Sequence, residues 1–113
     1  MDLQIDESGS FTIARVTGEL NAAEADRFVE RLHDHACGAG ACVAIDLSRL
    51  SSIDSSGLAA LINLVARARA GEGQVVFVAP TPFVAGIFNV TRLDSWLDIC
   101  DNIEEARRQL SES

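Results

Sequence analysis

The sequence predicts a single α/β domain: a mixed sheet of about four to five strands with about four helices, in the order ββαβαβαβα. Three observations carry this. The chain has 113 residues, 48% of them hydrophobic, which is the size of one domain with enough apolar material for a core. Its apolar pattern switches repeatedly between strand-like runs and helical spacing. Residues 42–79 read as strand, helix, strand, a βαβ unit whose crossover is right-handed. A hairpin first and βα units afterwards imply helices packed against a mixed sheet.

The elements follow in order. "LQIDES" (3–8) and "SFTIARVTG" (10–18) read as strands joined at Ser8-Gly9, with the glycine where a tight hairpin needs it. Ala25, Phe28, Val29, Leu32 and Ala36 then share one helical face. Asn21 is placed to cap that helix, with Glu24 in the capping-box position. "GAGA" (38–41) ends it as a turn, with no phosphate-binding signature around it. "CVAIDL" (42–47) is a continuous apolar run, the pattern of a strand covered on both faces.

Leu58, Leu61, Ile62 and Val65 restore helical spacing, in a helix beginning near Ser56 or Gly57 and ending at Gly71. "QVVFVA" (74–79) is a second buried strand. A short helix opens at Thr81 or Pro82, with Phe83, Val84, Ile87 and Phe88 expected in the core. "WLDIC" (96–100) reads as a last strand. "NIEEARRQL" closes the chain as a helix capped by Asp101 or Asn102, with Ile103, Ala106 and Leu110 on one face.

Composition excludes several classes of function. Nine basic against seventeen acidic groups leave a net charge of −8 and no Lys/Arg cluster, which argues against nucleic acid and anionic membranes as partners. No apolar stretch is long enough for a membrane span, and "MDLQIDESGS" has no secretory pattern. Cys37, Cys42 and Cys100 are odd in number and match no zinc or CxxC spacing, so reduced thiols in a cytoplasmic protein are expected. Neither a metal nor a cofactor is expected.

"SSIDSSGLAALINLV" (51–65) is the most informative stretch: four serines and Asp54 stand directly before an apolar helix. "SRLSSIDSSG" leaves the carboxyl end of the strand 42–47, where open α/β sheets meet ligands and partners. Ser55 or Ser56 can cap the helix. A phosphoserine there is also accommodated by the free N–H groups and partial positive charge of the helix start. Asp46 is read as fixing the loop by accepting backbone N–H bonds. A nucleophilic serine lacks support: GxSxG is absent and His33 and His35 lie on a different helix. An Asp46/Asp54 acid–base pair is the remaining catalytic reading.

"TGEL" (17–20), "AIDLSRLSSIDSSGLAAL" (44–61) and "LDSWLDICDNIEEA" (93–106) resemble the STAS domain, and more narrowly the bacterial anti-sigma factor antagonists. The resemblance runs over nearly the whole chain, in order. It implies a partner switch without enzymatic activity of its own. In this resemblance the phosphoacceptor falls on the second serine of DSSG, Ser56, with Ser55 as the fallback. An anti-sigma factor that is also a Ser/Thr protein kinase phosphorylates it, and a Ser/Thr phosphatase restores it. The unmodified antagonist binds the kinase and frees a sigma factor. The partner surface so implied contains Asn21, Ser52, Asp54, Ser55, Ser56, Gly57 and Leu58, with Asp46 and Ser48 structuring the loop. Family members often carry Asp after "GEL", where this chain has Asn21. The same stretch also resembles the small STAS subunit that binds the ATPase of a lipid-transporting ABC complex; there a Thr usually stands at the position of Ser55.

Overall fold

The computed structural model describes residues 1–8 and 11–111. Five strands form one sheet in the spatial order β1-β2-β3-β4-β5. Strands β1 (Asp2–Ser8) and β2 (Phe11–Leu20) are antiparallel, with Ser8 opposite Phe11; the connecting residues, including Gly9, lie outside the described residues. β3 (Cys42–Ile53), β4 (Gln74–Val78) and β5 (Asp98–Cys100) run parallel to β2. Four α-helices join or follow them: α1 (Ala22–Ala36), α2 (Ser55–Ala70), α3 (Pro82–Val90) and α4 (Ile103–Ser111). A 3-10 turn at Leu93–Ser95 precedes β5, which is shorter than the strand read at 96–100.

The sheet separates two apolar layers. On one side, Phe28 and Leu32 of α1, Leu61 and Leu64 of α2 and Val84 and Phe88 of α3 pack on Val16, Val43, Ile45 and Phe77. On the other, Ala106 and Leu110 of α4 pack on Phe11, Ile13, Ala44 and Val76. Val43, Ala44 and Ile45 are therefore buried in succession, which explains their unbroken apolar run. The free edge of β1 is partly guarded: the Arg31 guanidinium of α1 donates to the Leu3 carbonyl at 3.2 Å. Phe83, expected in the core, is 55% exposed instead.

The largest departure from the sequence reading lies just before the serines. The segment 48–53 is not a loop. β3 continues through it, beyond the last pairing with β4 at Asp46–Val78, and is held on its other side by β2. Two register shifts, opposite Arg15–Thr17 and Gly18–Glu19 of β2, each place one extra residue in β3 and accommodate the extension. They break period-two alternation, so that Leu47, Leu50 and Ile53 are the buried residues. Because Leu20 lies opposite Ile53, β2 and β3 end level with each other.

Candidate functional site

Three parallel strands deliver three helix starts to one edge of the sheet, and each start is capped by a side chain. Asn21 Oδ1 accepts from Ala23 N–H at 3.1 Å, at the head of α1. Thr81 Oγ1 accepts from Val84 N–H at 3.5 Å at the head of α3, while its hydroxyl donates to the Leu50 carbonyl at 2.9 Å. Glu24 does not complete a capping box; its carboxylate lies 3.5 Å from Arg27. Asn102, rather than Asp101, caps α4, accepting from Glu105 N–H at 2.9 Å.

The cap of α2 is Asp54, not Ser55 or Ser56. Its Oδ1 accepts from Gly57 N–H at 2.9 Å and its Oδ2 accepts from Ala22 N–H at 3.2 Å. Its own N–H reaches the Leu20 carbonyl at 3.2 Å. One carboxylate thus joins the heads of α1 and α2, where free N–H groups and helix dipoles favour negative charge. The level ends of β2 and β3 make this possible. Asp has a shorter reach than Glu and two acceptor oxygens, which suits it to two donors at once.

With Asp54 as the cap, Ser55 becomes the first residue of α2 and Ser56 the second. Their side chains then separate. Ser55 is exposed, whereas Ser56 is half-buried in a groove of ≈ 310 Å³ between α1 and α2, shared with Ala25, Asp26, Val29 and Asn63. Gly57 is buried, and a Cβ there would overlap the Leu20 carbonyl oxygen and sit 2.9 Å from Ile53 Cγ1. Its need for glycine therefore comes from inside the fold, not from a partner's approach. Leu58 packs partly against the main core. Asn21 and Ser52 are half-buried at the same edge, Ser52 opposite Glu19.

The remaining residues of the stretch have structural employment. Ser51 donates its hydroxyl to the Gly18 carbonyl at 2.9 Å, tying the β3 extension to β2. Asp46 accepts from Ser48 N–H at 2.9 Å, as expected of a turn-fixing carboxylate, although the segment it fixes is strand. Asp46 also faces Arg15 at 3.8 Å. The two carboxylates of the supposed acid–base pair are thus each committed to backbone donors. His33 and His35 occupy the last turn of α1, roughly 20 Å of helix away from its head at the serine edge. His35 lies 3.7 Å from Glu7 and His33 lies 3.5 Å from Asp34. Among the described residues, no group of His, Cys, Asp and Glu is arranged to hold a metal ion. No described helix is long and apolar enough to cross a membrane.

Sequence reasoning did not find Ala22 or Leu20, whose backbone groups complete the Asp54 arrangement. The register of β2 against β3 is the signal that reveals them.

Comparison with known proteins agrees with this architecture. The family model described as "STAS domain" matches residues 2–106, and the chain belongs to that family. A candidate anti-sigma factor antagonist of Bordetella bronchiseptica, BtrV, is 26% identical over 106 residues, covering 94% of this chain and 91% of that protein. The crystal structure of a candidate anti-sigma factor antagonist of Thermotoga maritima superposes with a TM-score of 0.87 at 24% identity, covering 96% of this chain and 94% of the other. The anti-sigma factor antagonist SpoIIAA of Bacillus has been solved in both states. Its unphosphorylated form gives a TM-score of 0.75 at 20% identity over 95% of each chain. Its phosphorylated form gives 0.68 at 20% identity over 95% of this chain and 98% of that one.

Proposed function

We propose that this protein is an anti-sigma factor antagonist working as a partner switch. Unmodified, it binds an anti-sigma factor that is also a Ser/Thr protein kinase, through the edge that carries Asn21, Asp54 and Ser55. That binding frees a sigma factor. Phosphorylation on the same edge ends the binding, and a Ser/Thr phosphatase restores it.

The observation that carries the reading is the position of Ser55. Its side chain is exposed at the first turn of α2, beside a carboxylate already fixed in place. A kinase must reach the hydroxyl, and this favours Ser55 over the half-buried Ser56, the reverse of the order implied by the family resemblance. Ser56 shares its groove with the carboxylate of Asp26, a poor neighbour for a phosphate.

The switch needs only local electrostatics. A phosphoryl group adds about −1.5 to −2 charges. On the protein surface, the N-terminal dipole of α2 tolerates it. Inside a closed interface the added charge lies beside Asp54, and desolvating two like charges together is costly. A loss of roughly 3 kcal/mol weakens binding more than a hundredfold.

The test is phosphorylation by the kinase partner isolated with this protein, read by mass spectrometry on wild type, Ser55→Ala and Ser56→Ala. Loss of the phosphate in Ser55→Ala alone supports the assignment. Loss in Ser56→Ala alone moves the site to Ser56. Isolation of an ABC ATPase in place of a kinase overturns the reading.

A further inference from the structure

A second feature lies on the same carboxyl edge of the sheet, away from the serines. A groove of ≈ 380 Å³ opens where β4 and β5 end, beside α3. Ala79, in a left-handed conformation (φ 51°), donates its N–H to the Cys100 carbonyl at 2.9 Å and turns the chain away at this point. The groove has an apolar wall made by Ala79, Phe88 and Ile99. Two carboxylates from different elements stand at it: Asp94 from the 3-10 turn and Asp101 from the turn into α4, both exposed. Asn89 Nδ2 donates to Asp94 Oδ2 at 3.2 Å and so orients that carboxylate. No Arg is among the residues lining the groove, and the chain contains no Lys.

We propose that this groove receives the side chain of an arginine or lysine from a protein docked on the carboxyl edge. Such a side chain has the two properties the groove complements: an aliphatic stem for the apolar wall and a cation for the pair of carboxylates. The net charge of −8 steers a basic surface toward the molecule as a whole. A partner's side chain fits better than a free small cation. The carboxylates are solvent-exposed, so a free ion pays its full loss of freedom for weak, screened contacts. A side chain on a protein already held nearby is delivered at high effective concentration. The inference stands for any partner on this edge and does not require the partner switch.

The probe is N-butylguanidinium, followed by amide chemical shifts of the whole protein. The expected result is weak, millimolar binding with shifts at Ala79, Phe88, Ile99 and Asp101. The affinity falls several-fold in the Asp94→Asn/Asp101→Asn variant, and n-butanol fails to reproduce the shifts. Asn preserves an acceptor for Asn89, and both positions are exposed, so the variant keeps the fold. The proposal is overturned if the shifts are absent or lie elsewhere, if butanol gives the same response, or if the double variant binds equally well. Micromolar binding of the free probe assigns the groove to a small cation and overturns docking. Self-association of the protein that the double variant abolishes assigns it to a second copy and also overturns the proposal.

Discussion

The Asp54 carboxylate accepts the N–H of Ala22, thirty-two residues earlier in the chain, at 3.2 Å while its other oxygen caps its own helix through Gly57. The heads of α1 and α2 are therefore one structural unit, and the proposed partner surface includes it. Losing an N-cap costs about 1 kcal/mol. Asp54→Ala removes two donor contacts and is expected to lower stability by about 2 kcal/mol, measured by urea unfolding. Amide exchange should rise at both Ala22 and Gly57. Faster exchange at Gly57 alone would show that the contact to α1 has no energetic weight.

Gly57 and Gly86 give opposite results on substitution by alanine. A Cβ at Gly57 overlaps the Leu20 carbonyl oxygen, a backbone atom that cannot rotate away. Gly57→Ala should therefore destabilise by about 1–3 kcal/mol, the range of core overpacking. A Cβ at Gly86, exposed within α3, meets nothing within 4 Å. Gly86→Ala should stabilise by roughly 0.5–1 kcal/mol through helix propensity and a less flexible unfolded chain. Thermal unfolding of the two variants side by side checks both signs.

Alkaline pH tests two thiols, the buried Cys100 and the half-buried Cys37. Burial pushes the Cys100 thiol above its ordinary 9.0, opposed by a backbone hydrogen bond with Asn102 and reinforced by Glu105 and Asp101. Burial likewise raises Cys37, opposed by Arg67 and reinforced by Asp34. A raised native pKa means that the folded state holds its proton more tightly than the unfolded state. Its stabilising contribution is full below the ordinary thiol pKa and disappears as pH rises through the folded value. Stability should therefore fall above about pH 9. The chain has no Tyr and no Lys, so few other side chains titrate in that window. Cys100→Ala should flatten the alkaline limb, and an unchanged slope would refute the assignment.

The fold was legible because each βα unit carries its own local signal. Phe28 and Leu32, and likewise Leu61 and Val65, repeat at helical spacing, and both groups are buried where that spacing puts them. The edge was harder to read, because it depends on long-range register. Nothing local tells Asp54 from Ser55 as the cap, since both types are favoured there. Asp54 prevails because Leu20 and Ile53 stand opposite each other, which brings Ala22 N–H within reach of the same carboxylate. The extension of β3 was hidden for a similar reason: its partner strand lies about thirty residues away, and bulges in β3 itself erase alternation. Phe83 misled because its apolarity matched the helix pattern while its face of α3 is open to solvent.

The switch is the central claim, and one comparison tests it most directly: the affinity of the unmodified protein and of its Ser55-phosphorylated form for the same kinase partner, measured by calorimetry with intact folds in both. The account predicts that phosphorylation weakens binding by more than about a hundredfold, with a Ser55→Ala protein binding as tightly as wild type. Equal affinities for the two forms would contradict it.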